Sequence, residues 1–592
     1  MKGFAICLLA LGLALLASCA SVEAITGGPL DKTPPQVTAA FPAPRATLQP
    51  TTLDIRLQFS EWIMNPVPST VVRISPPLEG RLLTEVDGEL LVLTSKTPLD
   101  TLTTYTVSVG SSLMDLHKNP VARPFQLVFS TGPQVDTLQL RGWVRLPDSL
   151  LRKKMFPMVG LYPMGTEPRV LRKYLQKLRD TSMVLPDSLP RLHKEPVLYL
   201  GQTDSLGKFH IDGIGPGRYR TAAFLDLNSN NRIDPSSEIA GLGEYDVSMD
   251  SAFHDTLYFS MADQDTSGIR ISAASVQTPN LASVDFSRPL VSDSSLLTSC
   301  GLWKMDSSLY AKSKWAWTSA DCRKVTLWFD SVARDSNYLI GCTAGSDSLG
   351  RRMNAKLSRL KQRWMPIQDT LPLLTTSFRM IGPSPTLDSL PTLELTYNIP
   401  VSVDSLRESI FIISGKDTLI TKVNQLDPVR LKVMPGAPLP MGLQYRLVRL
   451  LRDTVKAKVD TANPQVVITA KNLGSFETIS PLKVLSLQAK LPGASEKTRI
   501  ELRSPVGAYT WAQQCRKDGS FRFEKIPEGN YLMQVFEDSD GDGKLSSGKL
   551  FPYQPAESWR PVRDTIRVGK DQDMLALDSL LSRIPSLQRT PK

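Results

Sequence analysis

The sequence predicts an all-β protein made of tandem β-sandwich modules. Apolar and polar residues alternate strictly in short runs such as Leu53–Phe59, and this period of two is typical of half-buried strands. The 592 residues include 45 prolines and many short polar breaks, which favour β modules over long helices. One stretch also occurs twice, so we expect several modules rather than a single domain.

The repeated stretch covers residues 209–230 and 521–542, and a constant offset of 312 superimposes the two copies without a gap. In each copy, alternating apolar residues predict a short strand, and a turn rich in glycine and proline follows. A second strand then runs from Tyr219 to Phe224, or from Tyr531 to Phe536, and ends in a loop rich in Asp and Asn.

The pattern DSxGKFxIxGIxPGxY, which ends at Tyr219, resembles the transthyretin-like, carboxypeptidase-regulatory-like β-sandwich module. Gly207 and Gly519, which precede the two copies, recur with the turn and the tyrosine. The resemblance implies two such modules, which we place at residues 137–262 and 476–570.

Residues 36–132 carry the string LxFSE, then YTVxV, then DLxxNP and FxxxFSTG, and this order resembles the bacterial Ig-like domain of the SbsA type. The resemblance implies that Phe59 and Tyr105 are core residues and that Asp115 and Asn119 shape a turn. Weaker echoes of the same elements predict two degenerate Ig-like domains at 266–368 and 370–472, and residues 571–592 form a tail.

The N-terminus reads as an export signal. An apolar run from Phe4 to Leu16 follows Lys2 and is too short to span a bilayer permanently. Residues 16–19, Leu-Ala-Ser-Cys, resemble a lipobox, which implies removal of residues 1–18 and lipidation of Cys19. Ala20 in the next position fits outer-membrane sorting. The modules would then lie behind a lipoprotein signal peptide and a Pro/Gly tether over 19–35.

Charge and cysteine content narrow the class of protein further. The net charge of +11 is spread along the chain without a dense basic run, so we predict no nucleic-acid partner. Four cysteines remain outside the signal and the lipobox: Cys300, Cys322, Cys342 and Cys515. An exported chain can form disulfides, and one bridge among the first three is compatible with the spacing, as are free buried thiols.

Two segments allow alternative interpretations. Residues 169–180 alternate with a helical period, which predicts a short amphipathic helix packed on its own module or lying on a membrane. Four tryptophans cluster in the second Ig-like domain, where they indicate a buried core or, alternatively, a surface that stacks on sugar rings. These tryptophans are Trp303, Trp315, Trp317 and Trp328.

The residues offer no visible catalyst. The four histidines lack metal-pair spacing, and no nucleophile elbow is present. We therefore predict a non-enzymatic outer-membrane lipoprotein, a rod of sandwiches that is held to the membrane by Cys19 and presents loops to an envelope protein or a glycan. The alternative is an envelope hydrolase or a carbohydrate-processing accessory protein whose site is not recognisable.

The loop that ends the second copy predicts a Ca²⁺ site. Asp538, Asp540 and Asp542 occupy ligand positions 1, 3 and 5, Gly543 the sharp turn, and Lys544 would offer its backbone oxygen. Three carboxylates crowded into one short loop repel one another without a cation. Lys549 stands at position 12, so no EF-hand carboxylate closes the loop.

The first copy is a weaker candidate for the same ion. It places Asp226, Asn228 and Asn230 at the ligand positions, with Asp234 at position 9 and Asn231 at the turn. In both copies a hairpin loop that needs no metal remains the alternative, because Asp, Asn and Gly favour such turns on their own.

Overall fold

The computed structural model is nearly all β, with 49% of residues in strands and 4% in helices, which confirms the predicted fold class. The structure describes residues 31–145, 155–164, 190–330, 338–347, 351–353, 358–362, 373–455, 465–569 and 581–584, apart from short gaps at 69, 79, 252, 279, 293, 320, 360, 506–508, 563 and 583. The predicted helix at 169–180, the signal and Cys19 lie outside these residues, as does most of the tail.

The chain divides into two compact units, and the boundary runs through the segment that contains the first copy of the repeat. The first unit holds the chain up to Arg220 together with residues 225–232 and 247–256, and the second unit holds the remainder. Each unit is described by itself.

The first unit begins with an Ig-like sandwich. Its two sheets have the strand orders β1-β2-β5-β4 and β3-β6-β7. The predicted core residues Phe59 and Tyr105 are buried, and Asp115 accepts hydrogen bonds from Asn119, as expected for the turn. The strands are β1 (Val37–Phe41), β2 (Asp54–Phe59), β3 (Val72–Ser75), β4 (Leu82–Asp87), β5 (Leu90–Ser95), β6 (Thr104–Val109) and β7 (Phe125–Ser130).

The next nine strands belong to the segment that contains the first copy of the repeat. In the first unit β8 pairs with β11, β9 with β10, and the start of β12 with β14; in the second unit the end of β12 pairs with β13, and β13 with β16. The strands are β8 (Leu138–Val144), β9 (Met158–Pro163), β10 (Tyr199–Gln202), β11 (Lys208–Ile214), β12 (Gly217–Phe224), β13 (Ile239–Leu242), β14 (Val247–Met249), β15 (Thr256–Phe259) and β16 (Ala262–Asp263).

The second Ig-like domain is again two sheets, with the orders β21-β22-β18-β17-β25 and β20-β19-β23-β24. A short helix, α1 (Ser294–Thr298), precedes β19. The strands are β17 (Ile271–Thr278), β18 (Leu281–Phe286), β19 (Cys300–Trp303), β20 (Leu309–Lys312), β21 (Trp315–Thr318), β22 (Lys324–Trp328), β23 (Leu339–Cys342), β24 (Ser358–Arg359) and β25 (Lys361–Gln362).

Two of the cysteines and two of the tryptophans lie in the interior of this domain. A disulfide joins Cys300 to Cys342, which face each other across β19 and β23, while Cys322 and Cys515 are not bridged. Trp303 and Trp317 are buried, which agrees with the core interpretation, whereas Trp315 is 40% exposed.

The third Ig-like segment departs from two separate sheets. Its seven strands follow one continuous order, β26-β27-β30-β29-β28-β31-β32. The long strand β29 makes this possible, because residues 417–420 pair with β28 and residues 421–425 pair with β30. The elements are β26 (Thr375–Ile381), β27 (Thr392–Tyr397), α2 (Val403–Leu406), a 3₁₀ turn (Arg407–Ser409), β28 (Ile410–Ser414), β29 (Asp417–Gln425), β30 (Arg430–Pro435), β31 (Gln444–Val455) and β32 (Gln465–Glu477).

Strand β32 continues past the expected domain end at 472 and reaches Glu477. The module that contains the second copy of the repeat then follows, with β33 paired to β36 and a sheet of the order β35-β34-β37-β38, to which β39 adds. Its elements are a 3₁₀ turn (Pro481–Lys483), β33 (Val484–Lys490), β34 (Thr498–Arg503), β35 (Thr510–Gln514), β36 (Ser520–Pro527), β37 (Gly529–Glu537), β38 (Trp559–Pro561) and β39 (Ile566–Val568).

Within the second unit, this last module packs on the part of the first repeat-containing segment that belongs to the same unit. Arg560 forms an ion pair with Glu244 at 2.5 Å, and both side chains are buried. The Leu242 N–H donates to the carbonyl of Ser547, and the amide of Gln264 donates to the carbonyl of Gly548. Parts of the two related modules, which are far apart in the sequence, therefore pack together within this unit.

Candidate metal centre

The strand register aligns the two Asp-rich loops better than a constant offset does. Phe224 at the end of β12 pairs with Ala240, whereas Phe536 near the end of β37 pairs with Trp559, so the second connection is the longer of the two. The offset of 312 that matches the strands before the loops therefore fails for the strands after them. To find equivalent residues at the ends of the two loops, the sequences have to be aligned on the strands that follow the loops.

The second loop brings its three aspartates together. One carboxylate oxygen from each of Asp538, Asp540 and Asp542 lies within 4.8 Å of the others. Asp538 accepts the N–H groups of Gly541 at 2.8 Å and Gly543 at 3.1 Å, which draws the chain around its carboxylate. The φ angle of Gly543 is +79°, so the predicted sharp turn is present.

The outer two aspartates accept hydrogen bonds from the backbone of this loop. Asp540 accepts the N–H of Asp542 at 3.2 Å, and Asp542 accepts the N–H of Lys544 at 2.7 Å. Each of these bonds uses one oxygen, Oδ1. The contacts resemble those of a hairpin loop rich in Asx turns, and both carboxylates remain exposed.

A protein cation already neutralises the buried aspartate of the second loop. Arg499 Nε lies 2.5 Å from Asp538 Oδ2, and the Asp538 side chain is 4% exposed. Among the residues that the structure describes, no Lys, Arg or His side chain is within ion-pair distance of Asp540 or Asp542. The group of three carboxylates and one guanidinium therefore keeps a charge of about −2 at neutral pH.

A glutamate that lies far along the sequence closes this loop. Glu557 accepts the N–H of Ser539 at 2.6 Å through Oε1 and the N–H of Ser546 at 2.9 Å through Oε2. Burial raises the pKa of Glu557, and the nearby Asp540 raises it further. No carboxylate stands at position 12, but the structure supplies one from beyond the range that an EF-hand spacing would search.

The first copy of the repeat contains a glutamate equivalent to Glu557, which could have identified it. Glu238 stands just before Ala240 as Glu557 stands just before Trp559, and the Asp234 N–H donates to Glu238 Oε2 at 3.0 Å. Both glutamates are buried. Aligning the strands that follow the loops would have paired these two residues.

The start of the first loop is folded by Asx turns of the same kind. Asp226 accepts the N–H groups of Asn230 and Asn231, both at 3.1 Å, and Asn228 accepts from Asn230 as well. The φ angle of Asn231 is +56°, so this residue adopts the expected left-handed conformation. Asp234 belongs to the other unit.

The cation for Asp226 comes from a different module. Arg73, on strand β3 of the Ig-like domain, lies 3.0 Å from Asp226 Oδ2, and the side chains are 6% and 0% exposed. Burial lowers the pKa of Arg73, and the charge of Asp226 opposes that shift. Because Asn228 and Asn230 are neutral, this part of the first loop is charge-balanced by the protein itself.

A second group of ligand-type side chains lies in the Ig-like domain and was not expected. Oxygen or nitrogen atoms of Asp31, Glu61, Asp115 and His117 lie within 4.8 Å of one another. The pKa of Glu61 is raised, mainly by burial and then by Asp115. Asp115 is held by Asn119 in the predicted turn. The group is assembled from three separate stretches of the sequence, so there is no local motif to read.

Residues 31–131 match a family model described as a bacterial Ig-like domain. No curated protein matches the chain. Helices in the described part of the chain are all too short or too polar to cross a membrane.

Solved structures resemble the chain only loosely. The MG0-NIE-MG1 domains of Escherichia coli α-2-macroglobulin give a TM-score of 0.14 at 12% identity, covering 47% of this chain and 95% of that one. Intact E. coli α-2-macroglobulin gives 0.14 at 9%, covering 89% and 42%, so the chain spans less than half of that protein. The S-layer protein SbsC, residues 31–844, gives 0.13 at 10%, covering 92% and 67%.

Superposition scores this low do not establish a shared fold along the chain. The match to the bacterial Ig-like domain is confined to the first described domain, where it agrees with the two observed sheets. Residues 31–131 of this chain are therefore similar to a bacterial Ig-like domain.

Proposed function

We propose that this chain is a non-enzymatic outer-membrane lipoprotein, held by an acylated Cys19, whose β-sandwich modules present loops to an envelope protein or a glycan. The observation that carries the proposal is the lipobox cysteine, which is separated by only a short tether from Asp31, where the first folded domain begins. An acylated cysteine holds a protein to a membrane, and a short tether keeps the first domain near it.

The modular architecture supports the presenting role. Sandwiches of this chain bury apolar residues in their own cores, and loop residues such as Asp540 and Asp542 are exposed at the surface, where binding residues usually lie. The contact between the repeated modules through Arg560 and Glu244 also holds two loop-bearing modules together within the second unit. The hydrolase alternative gains no support from the described residues.

Metabolic labelling with an alkynyl fatty acid tests the anchor. The full precursor should incorporate the label and sediment with membranes, and Cys19→Ala should lose both properties because its only predicted acylation site is gone. Cys322→Ala is the matched control, since this unbridged cysteine lies in a folded domain. Persistent labelling of the Cys19→Ala variant would show that the lipobox interpretation is wrong.

We also propose that the second loop binds Ca²⁺ through Asp538, Asp540 and Asp542, with the backbone oxygen of Lys544 as a further ligand. The support is electrostatic, because Arg499 neutralises one of three clustered carboxylates and leaves two without a protein cation among the described residues. Carboxylate and carbonyl oxygens are the ligands that Ca²⁺ prefers. The first loop, with Asp226 paired to Arg73 and with neutral Asn228 and Asn230, needs no ion.

Differential scanning calorimetry of the full mature chain tests this site. Ca²⁺ at ten times its dissociation constant should stabilise the module by about 1.4 kcal/mol through mass action. The variant Asp540→Asn/Asp542→Asn, which copies the residue types of the first loop, should lose that shift. An unchanged melting temperature of the native chain at millimolar Ca²⁺, or an equal shift in the variant, would rule the site out.

A further inference from the structure

An apolar surface lies at one edge of the Ig-like domain. An isolated antiparallel bridge joins Ile63 to Asp115, and the Met64 N–H donates to the carbonyl of Met114 at 2.8 Å. Ile63 and Asp115 point inward and are buried. Side chains of neighbouring residues in a strand point to opposite sides. The residues directly before and after Ile63 and Asp115 therefore all point outward, on the same face.

Four flanking side chains make up this outer side, and all are apolar. We call them the apolar edge. Trp62 is 61% exposed, Leu116 57% and Met64 38%, and Met114 is half-buried. Scattered exposed apolar residues are ordinary, but two opposed pairs on one face form a continuous surface of the kind that marks an interaction site. The apolar edge comprises Trp62, Met64, Met114 and Leu116.

The indole of Trp62 is supported from beneath. The turn between β4 and β5 passes under it, and a Cβ on Gly88 would lie 3.5 Å from the ring. Gly88 has a φ of +60°, which a glycine adopts without strain. The tryptophan therefore rests on backbone and keeps most of its surface in solvent.

The chain enters the domain beside this edge. Asn119, in the same turn as Leu116, donates its side-chain amide to the carbonyl of Asp31 at 3.2 Å, and His117 Nδ1 lies 3.6 Å from the Asp31 carboxylate. The first described residue is thus fixed to the loop that carries Leu116. The tether from Cys19 to Asp31 spans at most about 40 Å when fully extended.

We propose that the apolar edge is a second membrane contact, which inserts into the interfacial region of the lipid bilayer to which Cys19 is anchored. Tryptophan is enriched at that depth, because its ring is apolar and its N–H remains able to bond, and Leu and Met add apolar area. The exposed Lys118 in the same loop adds a positive charge, which anionic lipid phosphates attract. This inference rests on the proposed acylation.

Because the tether keeps the domain close to the membrane, even a weak contact between the apolar edge and the bilayer would be populated. With its anchor within about 40 Å, the edge meets the bilayer as an intramolecular partner, so no high intrinsic affinity is needed. Docking at this edge would orient the Ig-like domain on the membrane rather than leave it free on its tether.

Quenching of tryptophan fluorescence by brominated lipid tests the contact. The acylated full chain is reconstituted in phosphatidylcholine–phosphatidylethanolamine vesicles that contain brominated phosphatidylcholine. Trp62→Phe should remove most of the quenching. The matched control is Trp315→Phe, because Trp315 is also exposed, at 40%, but lies in the other unit. Equal loss of quenching in the two variants, or no quenching in the native chain, overturns the proposal.

A second arm separates the edge from the anchor. Mass spectrometry first establishes acylation, so failure of the anchor is seen independently of any quenching result. The unacylated Cys19→Ala chain should still bind the same vesicles weakly, and Leu116→Ser should lower that binding roughly fivefold with an unchanged melting temperature. If sedimentation instead shows that Leu116→Ser dissociates a dimer while vesicle binding is unaffected, the edge is a self-association surface and the proposal fails.

Discussion

The loops after Phe224 and Phe536 start with aspartates in equivalent positions but take their positive charge from different places. Asp226 is paired with Arg73 of a neighbouring domain, and the pair is almost completely buried. Asp538 is paired with Arg499 of its own module, and the guanidinium is 25% exposed. The same local turn thus holds two modules together in one copy and remains a surface loop in the other.

The residues that follow these aspartates agree with that difference. Additional carboxylates beside the buried pair would be repelled without compensation, and the first loop has Asn228 and Asn230. The second loop has Asp540 and Asp542, both exposed, where water or an ion can balance them. The comparison teaches that the loop whose first aspartate is paired across modules has neutral outer residues, whereas the loop paired within its own module has charged ones; the predictions below are designed to break that relation.

Arg73→Met should have the largest effect. It leaves the carboxylate of Asp226 buried without its cation, and breaking such a pair costs about 3–5 kcal/mol. Chemical denaturation monitored by protease resistance of the first unit measures the loss. Arg56→Met is the matched control, because the Arg56–Asp54 pair is exposed and should change stability by less than about 1 kcal/mol.

The double variant Arg73→Met/Asp226→Asn completes a cycle for this pair. It should recover a large part of the loss, since no buried charge remains. Equal destabilisation in the single and double variants would mean that Arg73 acts through packing alone.

Glu557→Gln should destabilise the second loop by about 1–2 kcal/mol. In the native chain each carboxylate oxygen of Glu557 accepts one backbone N–H, from Ser539 or Ser546. In the variant one of these oxygens is replaced by an NH₂ group, which is a donor and cannot accept that hydrogen bond. The folded pKa of Glu557 is raised, so its protonation favours the folded state below the unfolded pKa, and that contribution is lost as pH rises through the folded pKa. The stability gap between native and variant should therefore narrow with rising pH.

Thermal melts of the native chain and this variant across the acidic to neutral range measure the gap. The comparable variant of the first loop, Glu238→Gln, provides the reference for a lost N–H acceptor. A gap that widens with pH would contradict the assignment of the raised pKa to Glu557.

Arg499→Met should cost about 1 kcal/mol without Ca²⁺, less than the change at Arg73, because the guanidinium is partly exposed. The same change removes a positive charge from the proposed ion site and should tighten Ca²⁺ binding several-fold. Thermal melts of the full mature chain measure the first effect, and calorimetric titration measures the second. Weaker Ca²⁺ binding in this variant would indicate that Arg499 organises the loop rather than competes with the ion.

Asn228→Asp/Asn230→Asp should have the smallest effect on stability, about 0.5 kcal/mol or less in the absence of metal, since both side chains are exposed. It gives the first loop the carboxylates of the second. A Ca²⁺-dependent melting shift of the first unit should then appear. Ser248→Asp/Ser251→Asp, at exposed residues of the same unit, is the control for added charge alone.

Local patterns in the sequence were enough to predict much of this protein. Alternation predicted the strands that bury Phe59, Phe209 and Phe523, because the side-chain period of a strand is set by its own backbone. The turns at Asn231 and Gly543 followed from residue type, since few residues adopt a left-handed conformation easily. The predictions for Cys19 and for Ca²⁺ remain predictions.

Contacts between distant residues were decided only by the tertiary structure. Arg73 and Asp226 lie in different modules, Glu244 and Arg560 do so as well, and neither pair carries a spacing that could be recognised. The role of Glu557 could not be predicted at a constant offset, because the loop length differs between the two copies. The change of pairing partner within β29 likewise has no local sequence pattern. The local sequence determines which backbone conformations are low in free energy for each segment. The partner of a buried charge depends instead on which surfaces the folded modules bring together.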